Sequence, residues 1–151
     1  MKIDREQDVE VIRPLAEQWL GECQARQFGF EPKLADILAD LKGSLENDGT
    51  MLVARGLDNE LIGFIVWCAM PNYLNGGRTI AVEKYWYAVP NESMTGPRLF
   101  HAAFDLAGRQ GCTHFIVSAS NMMPDNFQSI SRFCMKAGMT PFETQFVRAL
   151  E

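Results

Sequence analysis

The sequence predicts a mixed α/β fold, a single sheet with helices on its faces. Amphipathic helical repeats, short β-branched and aromatic runs, and turn residues at the joins succeed one another along the whole chain. The length of 151 residues suits one core, and 47% apolar with 22% charged residues is ordinary globular composition. With no internal repeat or low-complexity segment, residues 1–151 are read as one domain of order α-α-β-β-β-α-β-α-β.

Over residues 8–24, Val9, Ile12, Leu15, Ala16, Trp19, Leu20 and Cys23 recur every three or four positions, so one stripe of a helix faces the core. Gly29 interrupts, and Leu34, Ile37, Leu38, Leu41 and Leu45 renew the pattern, with Pro32 placed for a helix start and Asn47-Asp48-Gly49 for its end. Residues 50–54 and 61–69 are β-prone runs joined by Gly56-Leu57-Asp58-Asn59-Glu60, which reads as a hairpin. After the turn-rich stretch 71–77, residues 80–89 form an aromatic, β-branched strand stopped by Val89-Pro90-Asn91.

A third helix must start near Gly96. Pro97 fits its first position, and Leu99, Ala102, Ala103, Leu106 and Ala107 follow at helical spacing. Residues 113–118 make a further strand. Within 124–137, Phe127, Ile130, Phe133, Cys134 and Ala137 keep helical spacing up to a capping Gly138, and residues 140–150 read as a last strand.

Composition narrows the function. A net charge of −5 argues against sequence-independent binding of nucleic acid. No apolar run is long enough to span a membrane and M-K-I-D-R-E-Q-D is too charged for a secretory signal, so a cytoplasmic protein is expected. Cys23, Cys68, Cys112 and Cys134 are dispersed without a C-x-x-C pair, which suits reduced thiols. His101 and His114 lie at no metal-ligand spacing, and no metal is expected.

The junction between the aromatic strand and the third helix is the chemical candidate. A helix entry points free N–H groups and the positive end of its dipole outward, and Ser93, Thr95 and Arg98 add two hydroxyls and a guanidinium. A phosphate group suits such an entry. Glu83 stands in an otherwise apolar and aromatic strand, where burial would raise its pKa into the range of a general base; a structural ion pair with Lys or Arg is the other reading. Strand alternation would put Tyr85 and Tyr87 on the face of Glu83. Asn121, beyond the following strand, lies at the carboxyl edge where open sheets bind ligands.

Across nearly its whole length the chain resembles the GNAT acyltransferase superfamily, in particular its small phage-encoded branch. The resemblance rests on the element order and on A-V-E-K-Y-W-Y-A-V-P, M-T-G-P-R-L, A-G-R-Q-G-C and S-R-F-C-M-K-A-G-M-T-P-F-E-T-Q-F-V-R-A-L. It implies a mostly antiparallel twisted sheet with helices on both faces, and transfer of an acyl group, acetyl first among them, from acetyl-CoA or another acyl-CoA to an amine-bearing small molecule or protein. It further implies that the turn Ser93-Met94-Thr95-Gly96-Pro97-Arg98 holds the pyrophosphate, that the backbone of Ala88 and Val89 pairs with the pantetheine arm, and that an N–H near Val89 stabilises the oxyanion. Of the family's glycine-rich turn this chain keeps Gly96, while Pro97 removes one backbone donor. Glu83 occupies the position of the family's base. Cys134 falls near a position where the family often has a tyrosine that protonates the leaving thiolate, while packing is the commoner reason for a helical cysteine. The alternative is a non-catalytic protein of the same fold that binds a partner protein. A homodimer stays open.

Overall fold

Two apolar clusters on opposite faces of one sheet organise the molecule, seen in a computed structural model that describes residues 1–124 and 126–150. The strands are β1 (Lys2–Glu6), β2 (Gly49–Arg55), β3 (Leu61–Pro71), β4 (Thr79–Ala88) and β5 (Cys112–Ile116), in the spatial order β1-β2-β3-β4-β5. All neighbours pair antiparallel except β4 and β5, which are parallel. The helices are α1 (Arg13–Glu22), α2 (Leu34–Glu46), α3 (Thr95–Arg109) and α4 (Asn126–Lys136), with a short 3-10 turn at Ala25–Phe28.

On one face, Ile12, Leu15 and Ala16 with Ile37, Leu38 and Leu41 pack on Met51, Val53, Phe64 and Val66. On the other, Leu99, Phe100, Ala103 and Ala107 of α3 pack on Leu52, Ile65, Trp67 and Ala81, with Phe133 of α4 alongside. The helical stripes of the sequence thus bury where their periodicity directs them.

Four features differ from the sequence expectation. β1 opens the chain: K-I-D-R-E has no apolar run, but as an edge strand it needs only backbone partners along β2, and its charges suit an edge. The first helix starts at Arg13, because residues 8–12 form tight turns ahead of Pro14 while still burying Val9 and Ile12. Pro97 is the third residue of its helix, and Pro32 precedes α2, whose N-cap is Lys33. Residues 140–150 carry no strand ladder among the described residues; Phe142, Phe146 and Leu150 are exposed, Leu150 at 95%. β-propensity yields a strand only where an edge accepts it.

The fold positions the junction through two details of β4. Val66 faces Tyr85 and Trp67 faces Glu83, so Lys84 is an extra residue in a β-bulge. β5 pairs with β4 only from Thr79 to Val82, after which the two strands part and the edge of β4 from Glu83 to Ala88 lies open. Gly63 on β3 lets α3 settle over this end. A Cβ there would meet the Tyr87 carbonyl at 2.8 Å, Thr95 Cγ2 at 2.9 Å and Leu99 Cδ1 at 3.0 Å.

Candidate functional site

Glu83 stands where β4 and β5 separate. Its Oε2 accepts the Ser118 N–H at 3.2 Å, and its charge is felt at Cys134 on α4. The residue is half-buried, and loss of water raises its pKa from 4.5 to about 7, against the lowering pull of the Ser118 N–H. Among the described residues no Lys or Arg pairs with it, since neighbouring Lys84 turns the other way and donates to Asp40 Oδ1 at 2.7 Å and Ser44 Oγ at 2.9 Å. The geometry therefore leaves Glu83 an unpaired carboxylate that titrates near neutrality, not half of an ion pair. Burial first, and the Glu83 carboxylate second, push the Cys134 thiol up, so it keeps its proton.

The bulge at Lys84 corrects the placement of the tyrosines. It breaks the alternation, sending Tyr85 and Tyr87 to the α1 and α2 face while Glu83 turns toward β5 and α4. Tyr85 donates to Asp40 Oδ2 at 3.1 Å and Tyr87 to Glu22 Oε1 at 2.7 Å. Burial and then the neighbouring carboxylates hold both phenols protonated.

A groove of about 440 Å³ runs on from the parting strands. β4 supplies Trp86, Tyr87 and Ala88, the start of α3 supplies Gly96 and Pro97, and α1 contributes Glu22. Met123, Pro124, Asn126, Ile130 and Phe133 form the opposite wall. Trp86 packs on Phe100 and Phe133, with ring centroids 5.7 and 5.6 Å away, and its indole nitrogen would lie 3.7 Å from a Cβ at Gly96. The groove thus carries aromatic walls of the kind common in ligand sites.

The backbone around it departs from expectation at Val89. Val89 donates its N–H to the Ile62 carbonyl at 2.9 Å, so that N–H is not free for an oxyanion. In an antiparallel ladder the adjacent residue then points the other way, which turns the N–H and C=O of Ala88 into the gap left by β5. Ala88 is the open donor and acceptor of this edge.

At the α3 entry, Asn91 adopts a left-handed turn at φ 76° and Thr95 donates its N–H to the Glu92 carbonyl at 2.9 Å. Arg98 already closes a helical bond to Met94, and Pro97 has no N–H. Gly96 is left as the free amide of the first turn among the described residues. Thr95 is only 2% exposed and its hydroxyl lies 3.5 Å from the Met1 sulfur, so it does not face an anion as the sequence suggests. Ser93, Met94 and Arg98 are exposed beside the entry. The residues fit a coenzyme's amide-bearing arm along Ala88 better than they fit a dense phosphate cradle.

Asn121 does not line the groove. Its carbonyl accepts Gln27 Nε2 at 3.2 Å, and Met122 accepts the Gln24 N–H at 2.6 Å, so the loop serves as an anchor to the turn after α1. Asn126 and Glu22 line the groove instead, and neither was legible in the sequence: each lies at a helix end whose side of the sheet only the tertiary fold fixes. Among the described residues no group of His, Cys, Asp and Glu could hold a metal ion, and no helix is long and apolar enough to cross a membrane.

No protein-family model matches the chain, and no curated protein matches it significantly. Solved structures do. A ribosomal-protein-alanine N-acetyltransferase from Brucella melitensis superposes with a TM-score of 0.70 at 16% identity, over 99% of this chain and 100% of that one. An aminoglycoside acetyltransferase from an uncultured soil sample gives 0.69 at 16%, over 100% of both chains. A GNAT family acetyltransferase from Staphylococcus aureus gives 0.64 at 16%, over 99% of this chain and 100% of that one. The chain has the mixed, mostly antiparallel fold of these acetyltransferases.

Proposed function

We propose that this chain is an N-acyltransferase of the GNAT type that passes an acyl group, acetyl in the simplest case, from an acyl-CoA directly to an amine. The observation that carries the reading is Glu83: an unpaired carboxylate held near pKa 7 where β4 loses its neighbour, outside the groove lining but three residues before its Trp86 wall. A general base works best when its pKa lies near the working pH.

Bound along the open edge, the thioester would supply an activated carbonyl carbon. Ala88 would pair with the amide-bearing arm and aim its N–H at the carbonyl oxygen, and Gly96 with Arg98 would meet the phosphates. Glu83 takes the proton from the acceptor's ammonium. Trp86 is three residues further along a strand that rises about 3.3 Å per residue, so Glu83 would act on an acceptor in the groove through water rather than directly. The protonated Cys134 thiol, facing Glu83, is the proton donor to the departing sulfur in this reading. A cytoplasmic location and the phage-encoded branch belong to the same proposal, the latter resting on the sequence segment around E-T-Q-F. So does a homodimer, supported by the exposed apolar side chains Phe142, Phe146, Val147 and Leu150.

Calorimetry with acetyl-CoA, followed by thiol release with an amine acceptor, tests the reading. Saturable binding that weakens several-fold in Arg98→Ala, with turnover lost in Glu83→Gln, is the expected result. No binding at millimolar acetyl-CoA would instead favour a non-catalytic partner-binding protein, a reading supported by Pro97 and the inward Thr95 hydroxyl.

A further inference from the structure

Glu22 closes α1 and puts a carboxylate into a groove whose other walls are mostly apolar or aromatic. Its Oε1 is occupied by the Tyr87 hydroxyl at 2.7 Å and approached by Gln18 Nε2 at 3.5 Å. Among the described residues Oε2 has no hydrogen-bond donor, and no Lys, Arg or His forms an ion pair with this carboxylate. The phenol of Tyr87 and the end of a helix fix where the charge stands. A fixed negative charge beside low-dielectric walls concentrates cations, and the Trp86 indole in the same groove adds to that preference.

Glu22 is a poor second base for the transfer. The nitrogen that attacks must be neutral, and Glu83, at the vertex of the strands, is placed to take its proton. Tyr87, which carries Glu22, lies four residues further along β4 and on the opposite face. The two carboxylates therefore address different atoms of the acceptor.

We infer that Glu22 is a specificity residue that binds a second ammonium on the acceptor, one that stays protonated during the transfer, so that the preferred substrates are small dibasic amines. The inference rests on the acyltransferase reading above and names the substrate class of that site. One nitrogen of the acceptor is deprotonated and acylated, and the other stays cationic against Glu22 Oε2, flanked by the aromatic walls.

The test compares 1,4-diaminobutane with butylamine, acetyl-CoA being the donor, in the full chain and in Glu22→Gln, which keeps an oxygen for the Tyr87 hydroxyl. The expected result is a kcat/KM at least ten-fold higher for the diamine. In Glu22→Gln that ratio should fall toward one, with the change in KM rather than kcat and the pH dependence of kcat retained. Added salt should raise the diamine KM of the wild-type chain and hardly affect that of the variant. A matching thermal melt shows that the variant is folded. Equal use of the two amines by a chain that binds acetyl-CoA overturns this inference alone, as does a ratio that survives in Glu22→Gln. Failure to bind acetyl-CoA overturns it together with the acyltransferase reading.

Discussion

Glu83 gathers several of the residue-scale consequences. As the proposed base, Glu83 would make kcat/KM rise with pH through an apparent pKa near 7, and Glu83→Gln should lower kcat by about 10²–10⁴ while acetyl-CoA affinity in calorimetry changes little. The same carboxylate acts on stability with a definite sign. Its folded pKa of about 7 exceeds the ordinary 4.5, so the folded chain holds the extra proton between those values. Stability should therefore fall as pH rises from about 4.5 to about 7 and level off above, by at most about 3 kcal/mol, less to the extent that the carboxyl keeps contact with water. Urea melts across this range check it, and the slope should disappear in Glu83→Gln. The sequence made Glu83 legible because a lone carboxylate among apolar strand residues is conspicuous. It could not show that Val89 gives its N–H to Ile62 or that Thr95 turns its hydroxyl to Met1, since both depend on contacts distant in sequence.

β4 and α3 govern the site as elements. The extra residue Lys84 lets one strand offer Glu83 to the β5 side and, two positions on, Tyr85 to the α2 side. Because Glu83 and Tyr85 already face successive residues of β3, deleting Lys84 would restore simple alternation with each large side chain still on its own face, and would lose only the Lys84 contacts to Asp40 and Ser44. Chemical denaturation should put that deletion within about 1 kcal/mol of Lys84→Ala, which removes the same partly exposed ion pair with Asp40. Gly63→Ala should lower stability by about 1–3 kcal/mol and weaken acetyl-CoA binding, because the new methyl pushes on Thr95 and Leu99 at the entry of α3. The helices, the hairpin of β2 and β3, and the strand-turn-helix unit were readable from periodicity and turn residues. The bulge was not, because nothing in Glu83-Lys84-Tyr85 distinguishes a doubled position from regular alternation. β1 was missed for a related reason: a charged edge strand is specified by its partner, not by its own pattern.

At the scale of the whole molecule, helices on both faces leave one flank of the sheet unfinished beside β5, while residues 140–150 extend without a ladder among the described residues. Sedimentation should find a dimer that becomes a monomer when the chain is ended after Met139. The groove has a different consequence, because its wall contains one of only three tryptophans. Trp67 is sealed at 0% exposure with an unbonded indole N–H, and Trp19 stacks edge-on against Tyr85, so neither meets a guest in the groove. Trp86 does, which gives the molecule a native optical gauge: its emission should shift or quench as the groove fills, and Trp86→Phe should silence the signal.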